Sequence, residues 1–313
     1  MTPPSDPTPP AMRDAATIML VRDAAGPEGP ALEVCMLRRH INSDFVGGAY
    51  VFPGGKVDDD DDRSTAAGDA SAGRDDAEAS ALLGVESGGL AFWVAALREC
   101  FEEAGVLLAY RAESAPGGVL IEMSSPEARR RLATHRAELN AGKLTFLELL
   151  TGEGLHLAVD QVHYFSHWIT PEGSPKRYDT RFFVAALPPG QVPVHDDYET
   201  VDTVWVRPAD ALARAAAGEF DLIFPTMKNL EAISRFATSE ELLSAALAVE
   251  KMVPTVLPKV VVDERGFRIV LPGDPEYDEA VGLRGPTGED LSPAEIGDIV
   301  RTVGIDGRSQ RRP

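Results

Sequence analysis

The chain of 313 residues contains no stretch approaching the roughly 20 consecutive apolar residues that a membrane-spanning helix needs, so no membrane association of that kind is expected. Cysteine is scarce. Two residues, Cys35 and Cys100, cannot build a disulfide framework or a four-thiolate zinc site, and they are expected as reduced thiols in the core of a cytoplasmic protein. Basic residues are also few: 30 Lys and Arg stand against 50 Asp and Glu, a formal charge of -20. That balance argues against broad capture of nucleic acid, which requires cations for its phosphates, and suits a protein that gathers divalent cations. The first ten residues, MTPPSDPTPP, have neither the basic start nor the apolar core of a signal peptide. No internal repeat is found.

The acidity is uneven. From Asp58 to Glu86 ten acidic residues accompany only two basic ones, Arg63 and Arg74. The stretch is rich in Ala, Ser and Gly and has no large apolar residue before Leu82 and Leu83. Such a composition buries too little surface to offset its ordering entropy, so residues 58–89 are expected to be a solvated excursion inside a domain. The expected organisation is a Pro-rich flexible leader over 1–12, a domain over 13–237, a C-terminal extension over 238–303 and a flexible tail over 304–313.

Short apolar runs at 15–21 and 32–37, separated by a Gly/Pro turn, predict neighbouring strands, and Tyr50-Val51-Phe52 runs as a strand into the turn Pro53-Gly54-Gly55. Further strands are expected at 106–109, 162–170, 180–187 and 201–206. The 3.6-residue period of 90–104 (LAFWVAALRECFEEA) predicts a helix stopped by Gly105. Other helices are expected at 126–141, 146–151, 208–217, 226–236 and 240–251, and a hairpin at 259–271 turning on Glu264-Arg265-Gly266.

On the helix over 90–104, Glu99 lies three and four positions before Glu102 and Glu103, so three carboxylates share one face. Like charges at that spacing repel and call for a compensating cation. Arg98 beside them is an internal counter-charge, and oxygen-only donors suit a hard ion such as Mg²⁺ or Mn²⁺. Arg98-Glu99-Cys100-Phe101-Glu102-Glu103-Ala104-Gly105-Val106 resembles the second half of the box that defines the Nudix hydrolases, and Phe52-Pro53-Gly54-Gly55-Lys56-Val57 resembles its first half. In that family a glycine is followed by five residues, a glutamate, seven residues and the Arg-Glu segment. Here Gly55 takes the glycine position and Asp61 the glutamate position. The 36 residues from 62 to 97 stand where seven are usual, an insertion of 29 that coincides with the acidic excursion. His167-Trp168-Ile169-Thr170-Pro171 and Arg177-Tyr178-Asp179-Thr180-Arg181-Phe182-Phe183 extend the similarity to the branch whose box is interrupted and which includes a peroxisomal coenzyme A diphosphatase. The terminal SQRRP is not a peroxisomal address, so a cytoplasmic location is expected.

The resemblance implies an α/β/α sandwich around a mixed β-sheet, carrying an inserted acidic loop and a C-terminal helix and hairpin extension. It implies metal-dependent hydrolysis of the pyrophosphate in a nucleoside diphosphate linked to another moiety. By the same resemblance Glu99, Glu102 and Glu103 are metal ligands together with the backbone of Gly55, Arg98 holds the carboxylates, and Gly54 and Gly55 approach the phosphates. The family often takes a general base from a later loop, where Glu199 in His195-Asp196-Asp197-Tyr198-Glu199 is the first candidate beside a plain solvated turn. His163 and His167, four apart on a strand and so on one face, are either structural or part of the site. Coenzyme A is the expected substrate. The family's coenzyme A signature is half present, with Gly48 and Arg39 retained and Asp44 where its second arginine belongs. Arg38, Arg39, Lys176 and Arg177 are available to a 3′-phosphate. ADP-ribose or NADH is the rival substrate class, and a non-catalytic ligand-binding module the rival role. The partner is thus a nucleotide-linked small molecule rather than nucleic acid, and the extension either forms a homodimer or packs on its own domain.

Overall fold

Alternating apolar residues in the first long strand bury both of its faces. Ala16, Ile18 and Leu20 point to one side and Met19 and Val21 to the other, all fully buried. A strand of that kind belongs at the centre of a sheet covered on both sides. The structure is a computed structural model, which describes residues 11–26, 29–43, 47–61, 64–172, 174, 176–263 and 266–278. The leader up to residue 10, Asp44, the hairpin turn at Glu264 and Arg265, and the tail over 304–313 lie outside the described residues.

In chain order the elements are β1 (Met12–Gly26), β2 (Gly29–Arg39), β3 (Tyr50–Val51), β4 (Gly54–Lys56), α1 (Ser64–Asp69), β5 (Ser71–Ala72), α2 (Asp76–Leu83), α3 (Leu90–Ala104) and β6 (Ala109–Arg111). Then come α4 (Pro126–Asn140), α5 (Phe146–Glu153), β7 (Leu155–Ala158), β8 (His163–Ile169), β9 (Arg177–Ala186), β10 (Thr200–Val206), α6 (Pro208–Ala216), α7 (Phe224–Ile233) and α8 (Ser239–Val249). The last are β11 (Thr255–Val256), β12 (Lys259–Asp263) and β13 (Gly266–Val270). The main sheet runs β10-β2-β1-β9-β8-β11, with β3 added to β2 and β4 to β1. β1 pairs parallel with β9, and β8 with β11, while the other pairs are antiparallel, so the sheet is mixed. One core lies between the sheet and α3, and a second lies between the opposite face and α6, α7 and α8. The architecture is the expected α/β/α sandwich.

The acidic insertion differs from expectation. Rather than a solvated excursion, residues 64–83 form α1, β5 and α2, and Ala67, Ala70, Ala79 and Leu83 are buried in the core beneath α3. Asp75 caps α2 by accepting from the Glu78 amide, and Glu78 returns the contact to complete a capping box. Asp76 reaches across the loop to accept the amides of Gly88 at 3.1 Å and Leu90 at 2.9 Å, which supplies α3 with the N-terminal cap its own sequence lacks. Arg74 pairs with the buried Glu250 at 3.2 Å and lies 4.8 Å over the Trp93 ring. Small residues and polar anchors order the segment where large apolar side chains are missing.

In the extension, α8 contributes Leu242 and Ala246 to the second core, and Val260 and Val270 of the β12-β13 hairpin are buried. No helix of the described residues is long and apolar enough to cross a membrane.

Candidate active site

The site grows from α3. Every residue of this helix is buried except Glu99 and Glu102, which are half-buried, and Gly105 closes it in the left-handed conformation at φ 67°. Against its C-terminal half lies β4, hydrogen-bonded to β1 through Ala15–Lys56, Ala16–Gly55 and Thr17–Gly54. Gly54 is required by this approach, and Gly55 leaves the Glu99 carboxylate its place. A Cβ on Gly55 would fall 2.2 Å from Glu99 Oε1, and one on Gly54 would meet β1 backbone at 2.6 Å.

Arg98 is the hub. Its Nε and Nη2 donate to Asp61 Oδ1 and Oδ2, each at 2.9 Å, in the parallel fork that guanidinium and carboxylate favour. Nη1 donates to Glu99 Oε1 at 2.9 Å and Glu102 Oε2 at 3.0 Å, and Nη2 also reaches the Lys56 carbonyl at 2.9 Å. Asp61 is 1% exposed and Arg98 7%, so the fork is sealed from water. Of the Asp run, Asp61 is thus the carboxylate forked to Arg98, while the exposed Asp58 lies 3.6 Å from the same guanidinium. Glu103, 3% exposed, accepts from the Gly54 amide at 3.0 Å through Oε2, while its Oε1 is buried without a hydrogen-bond partner.

Burial dominates the electrostatics. It raises Glu99 to about 7, the charges of Glu102 and Glu199 adding to the effect and Arg98 opposing it. Burial, then the charge of Glu99, raises Glu103 well above the usual carboxylate range, and burial likewise raises Glu102 and Asp61. Burial alone would lower the Arg98 guanidinium, but its hydrogen bonds to Asp61 and the surrounding carboxylates raise it. Negative charge is thus concentrated where water cannot screen it.

The family description "NUDT19 Nudix domain" matches residues 74–233, about half of the chain. The chain belongs to the Nudix hydrolases. Among its relatives, the acyl-coenzyme A diphosphatase NUDT19 of Gallus gallus is 29% identical over 85% of this chain and 80% of that protein. Its Homo sapiens counterpart is 28% identical over 87% and 82%. The crystal structure of a NUDIX hydrolase from Alicyclobacillus acidocaldarius covers 75% of this chain and 96% of its own, with 26% identity and a TM-score of 0.58. The matched residues begin inside the insertion, so Gly54, Gly55 and Asp61 join the Nudix helix through the contacts described above rather than through the match.

Nudix hydrolases use divalent cations, and the donor set here suits one. It is entirely oxygen, it carries an unpartnered buried oxygen in Glu103 Oε1, and burial raises its carboxylates toward neutrality, a penalty that a bound cation would offset. Among the described residues no three His, Cys, Asp or Glu side chains already converge as a ligand set, although Arg98 Nη1 holds Glu99 and Glu102 together.

The other expected residues divide. Glu199 stands just before β10, with Oε2 at 3.5 Å from Arg39 Nη2, and its charge is felt by both Glu99 and Glu103. Arg39 also lowers Glu103. Arg38 is separated from this group. Adjacent strand residues face opposite ways, and Arg38 lies 5.9 Å over the Tyr50 ring on the second-core side, where Tyr50 stacks on Phe220. Lys176 and Arg177 sit at the start of β9; Arg177 donates to the Thr170 carbonyl and is opposite Met12, four residues along from the level of Ala16 and Gly55. That is roughly 13 Å of strand.

The shared face of His163 and His167 is not found. A bulge between Tyr164 and Ser166 sets His163 opposite Val184 and His167 opposite Arg181, positions on opposite faces of β9. His167 bonds Asp179 and accepts or donates at Thr255 Oγ1, and neither histidine joins the box carboxylates in a hydrogen bond. Two residues outside the box do serve the helix and were not anticipated. Asp76 caps its start, and Arg136 Nε of α4 donates to the Glu102 carbonyl at 2.8 Å near its end. No local signal marked Asp76, which lies 12 positions before Gly88.

Proposed function

We propose that this Nudix hydrolase cleaves the pyrophosphate bond of coenzyme A or acyl-coenzyme A, giving adenosine 3′,5′-bisphosphate and 4′-phosphopantetheine or its acyl form, with Mg²⁺ or Mn²⁺. The observation that carries the reaction class is the set Glu99, Glu102 and Glu103 gathered on α3 against Gly54 and Gly55. The substrate rests on the relatives named acyl-coenzyme A diphosphatase and on Arg39 beside the carboxylates.

In this proposal Glu99, Glu102 and Glu103 hold the cation, with the Gly55 backbone beside them. A bound divalent cation neutralises phosphate oxygens and makes the attacking water more acidic. Arg98 and Asp61 keep the carboxylates at a fixed spacing. Arg39 offers its guanidinium to an anionic group of the nucleotide, and Glu199, its ion-pair partner, accepts the proton of the attacking water. The water's oxygen forms the new P–O bond as the bridging P–O bond breaks, and the leaving phosphate departs with the electron pair.

Hydrolysis of coenzyme A, an acyl-coenzyme A, 3′-dephospho-coenzyme A, ADP-ribose and NADH, followed by product chromatography, tests the proposal. Coenzyme A or its acyl form should be the fastest and the 3′-dephospho analogue slower. A charge-assisted contact of about 1.5 to 3 kcal/mol makes Arg39→Ala cost roughly 10- to 150-fold in kcat/KM for coenzyme A and much less for ADP-ribose. Faster turnover of ADP-ribose or NADH, with Arg39→Ala affecting all substrates equally, removes the coenzyme A assignment and leaves the diphosphatase.

A further inference from the structure

The turn that presents Glu199 is organised by a single carboxylate three residues before it. Asp196 Oδ1 accepts the amides of Tyr198 at 3.2 Å, Glu199 at 3.2 Å and Thr200 at 2.9 Å, and the Thr200 hydroxyl at 2.9 Å. Its Oδ2 also lies 3.2 Å from the Glu199 amide. A short stretch of backbone is therefore wrapped around one side chain. The wrapping has a conformational cost, since Asp197 adopts φ 66°, a region non-glycine residues seldom occupy unless their surroundings hold them there. At the far end of the turn Thr200 is fully buried.

Both flanks of the turn are tied to the site. The Val194 amide donates to the Ala104 carbonyl, the last residue of α3, at 2.8 Å. The His40 amide donates to the Glu199 carbonyl at 2.8 Å, and Arg39 pairs with the Glu199 carboxylate. Glu199 itself is largely exposed, with 65% of its side chain open to solvent, so no packing fixes its direction. Its amide is held by the Asp196 carboxylate, and its carbonyl by the His40 amide. Tyr198, by contrast, is 80% exposed and anchors nothing.

We propose that Asp196 is a positioning residue for this hydrolase, holding the 198–200 backbone so that Glu199 is aimed at the Nudix carboxylates. This rests on the assignment of Glu199 as proton acceptor. Asp196 touches neither water nor substrate in the proposal, and all of its effect passes through Glu199. Its loss should therefore reduce turnover without weakening substrate capture, and should matter only while Glu199 is present.

The test is a double-mutant cycle on the full chain with coenzyme A, comparing wild type, Asp196→Ala, Glu199→Gln and the double variant, with kcat and KM measured separately. Asp196→Ala should lower kcat by about 10- to 100-fold, the scale of a misplaced catalytic group, with KM within about twofold. In the Glu199→Gln background the same change should cost less than about twofold more. Hydrogen exchange gives a readout independent of catalysis: amides of 198–200 should exchange at least about tenfold faster in Asp196→Ala. Asp196→Asn, which keeps the Oδ1 acceptor, should restore most of both properties, and it decides the matter if Asp196→Ala does not fold. Multiplicative losses, or Asp196 variants with normal kcat beside a slow Glu199→Gln, overturn the positioning role alone. A Glu199→Gln enzyme with normal kcat overturns the proton-acceptor assignment and the positioning role together.

Discussion

Asp61→Ala removes the carboxylate that occupies two of the three nitrogens of Arg98. Asp61 is 1% exposed and Arg98 7%, and both bonds of the fork are 2.9 Å long. Breaking a buried pair by deleting one partner usually costs about 3 to 5 kcal/mol, because the surviving charge is left without compensation. Arg98 keeps Glu99, Glu102 and the Lys56 carbonyl, so the lower end applies, about 3 kcal/mol. For a protein of this size that corresponds to a fall in Tm of roughly 6 to 12 °C. Thermal melts of the cation-free protein at fixed pH measure it, with Asp59→Ala as a control. Asp59 is exposed, and its removal should change stability by less than about 0.5 kcal/mol. Asp61→Asn retains one acceptor for the fork and should fall between. A Tm loss below about 2 °C for Asp61→Ala, or an equal loss for Asp59→Ala, would refute the reasoning and return the acidic position of the box to another residue of the Asp run.

Three further outcomes are expected. Glu102→Gln and Glu103→Gln should each lower kcat by at least about 100-fold while the cation-free Tm holds or rises, because repulsion among buried carboxylates is relieved; normal turnover in both would remove α3 from the site. Folding raises Glu99 to about 7, so its stabilisation is present below the ordinary carboxylate value and disappears as pH rises through about 7. Glu103 shifts the same way and half-buried His163, held low, opposes them, so cation-free protein should melt higher at pH 5.5 than at pH 8, more steeply than Glu99→Gln; a slope unchanged in that variant would contradict it. Leu83→Ala, at a buried position of the insertion, should cost about 2 to 4 kcal/mol in denaturant titration, whereas a segment outside the core would show almost none.

What the chain reveals without its structure depends on how locally each feature is encoded. The Nudix helix was legible to the residue, Leu90–Ala104, because its apolar period and its Gly105 stop lie within the segment itself. The carboxylate face followed from the same period. The insertion was misjudged because alanine carries little weight in any hydrophobic pattern, yet Ala67, Ala70 and Ala79 fit where a larger side chain would not. β4 and β7 were missed, the first being two glycines and a lysine, held as a strand by β1 rather than by propensity. The grouping of Arg38 with Arg39 ignored the two-residue alternation of a strand, and the shared face of the histidines could not survive an unforeseen bulge.

The Arg74–Glu250 pair has a consequence for how this enzyme can be altered. Glu250, 5% exposed, also accepts the Tyr164 amide at 3.0 Å, so one carboxylate joins the box insertion, the central sheet and the segment that follows α8. A chimaera that exchanges the insertion for a relative's loop strands an anion in the interior. One that trims the chain before residue 250 strands a cation against Trp93. The two accretions to the Nudix sandwich are separated by 176 positions in the chain, but they should tolerate substitution only as a pair, and a library that recombines them independently should lose most of its members to misfolding.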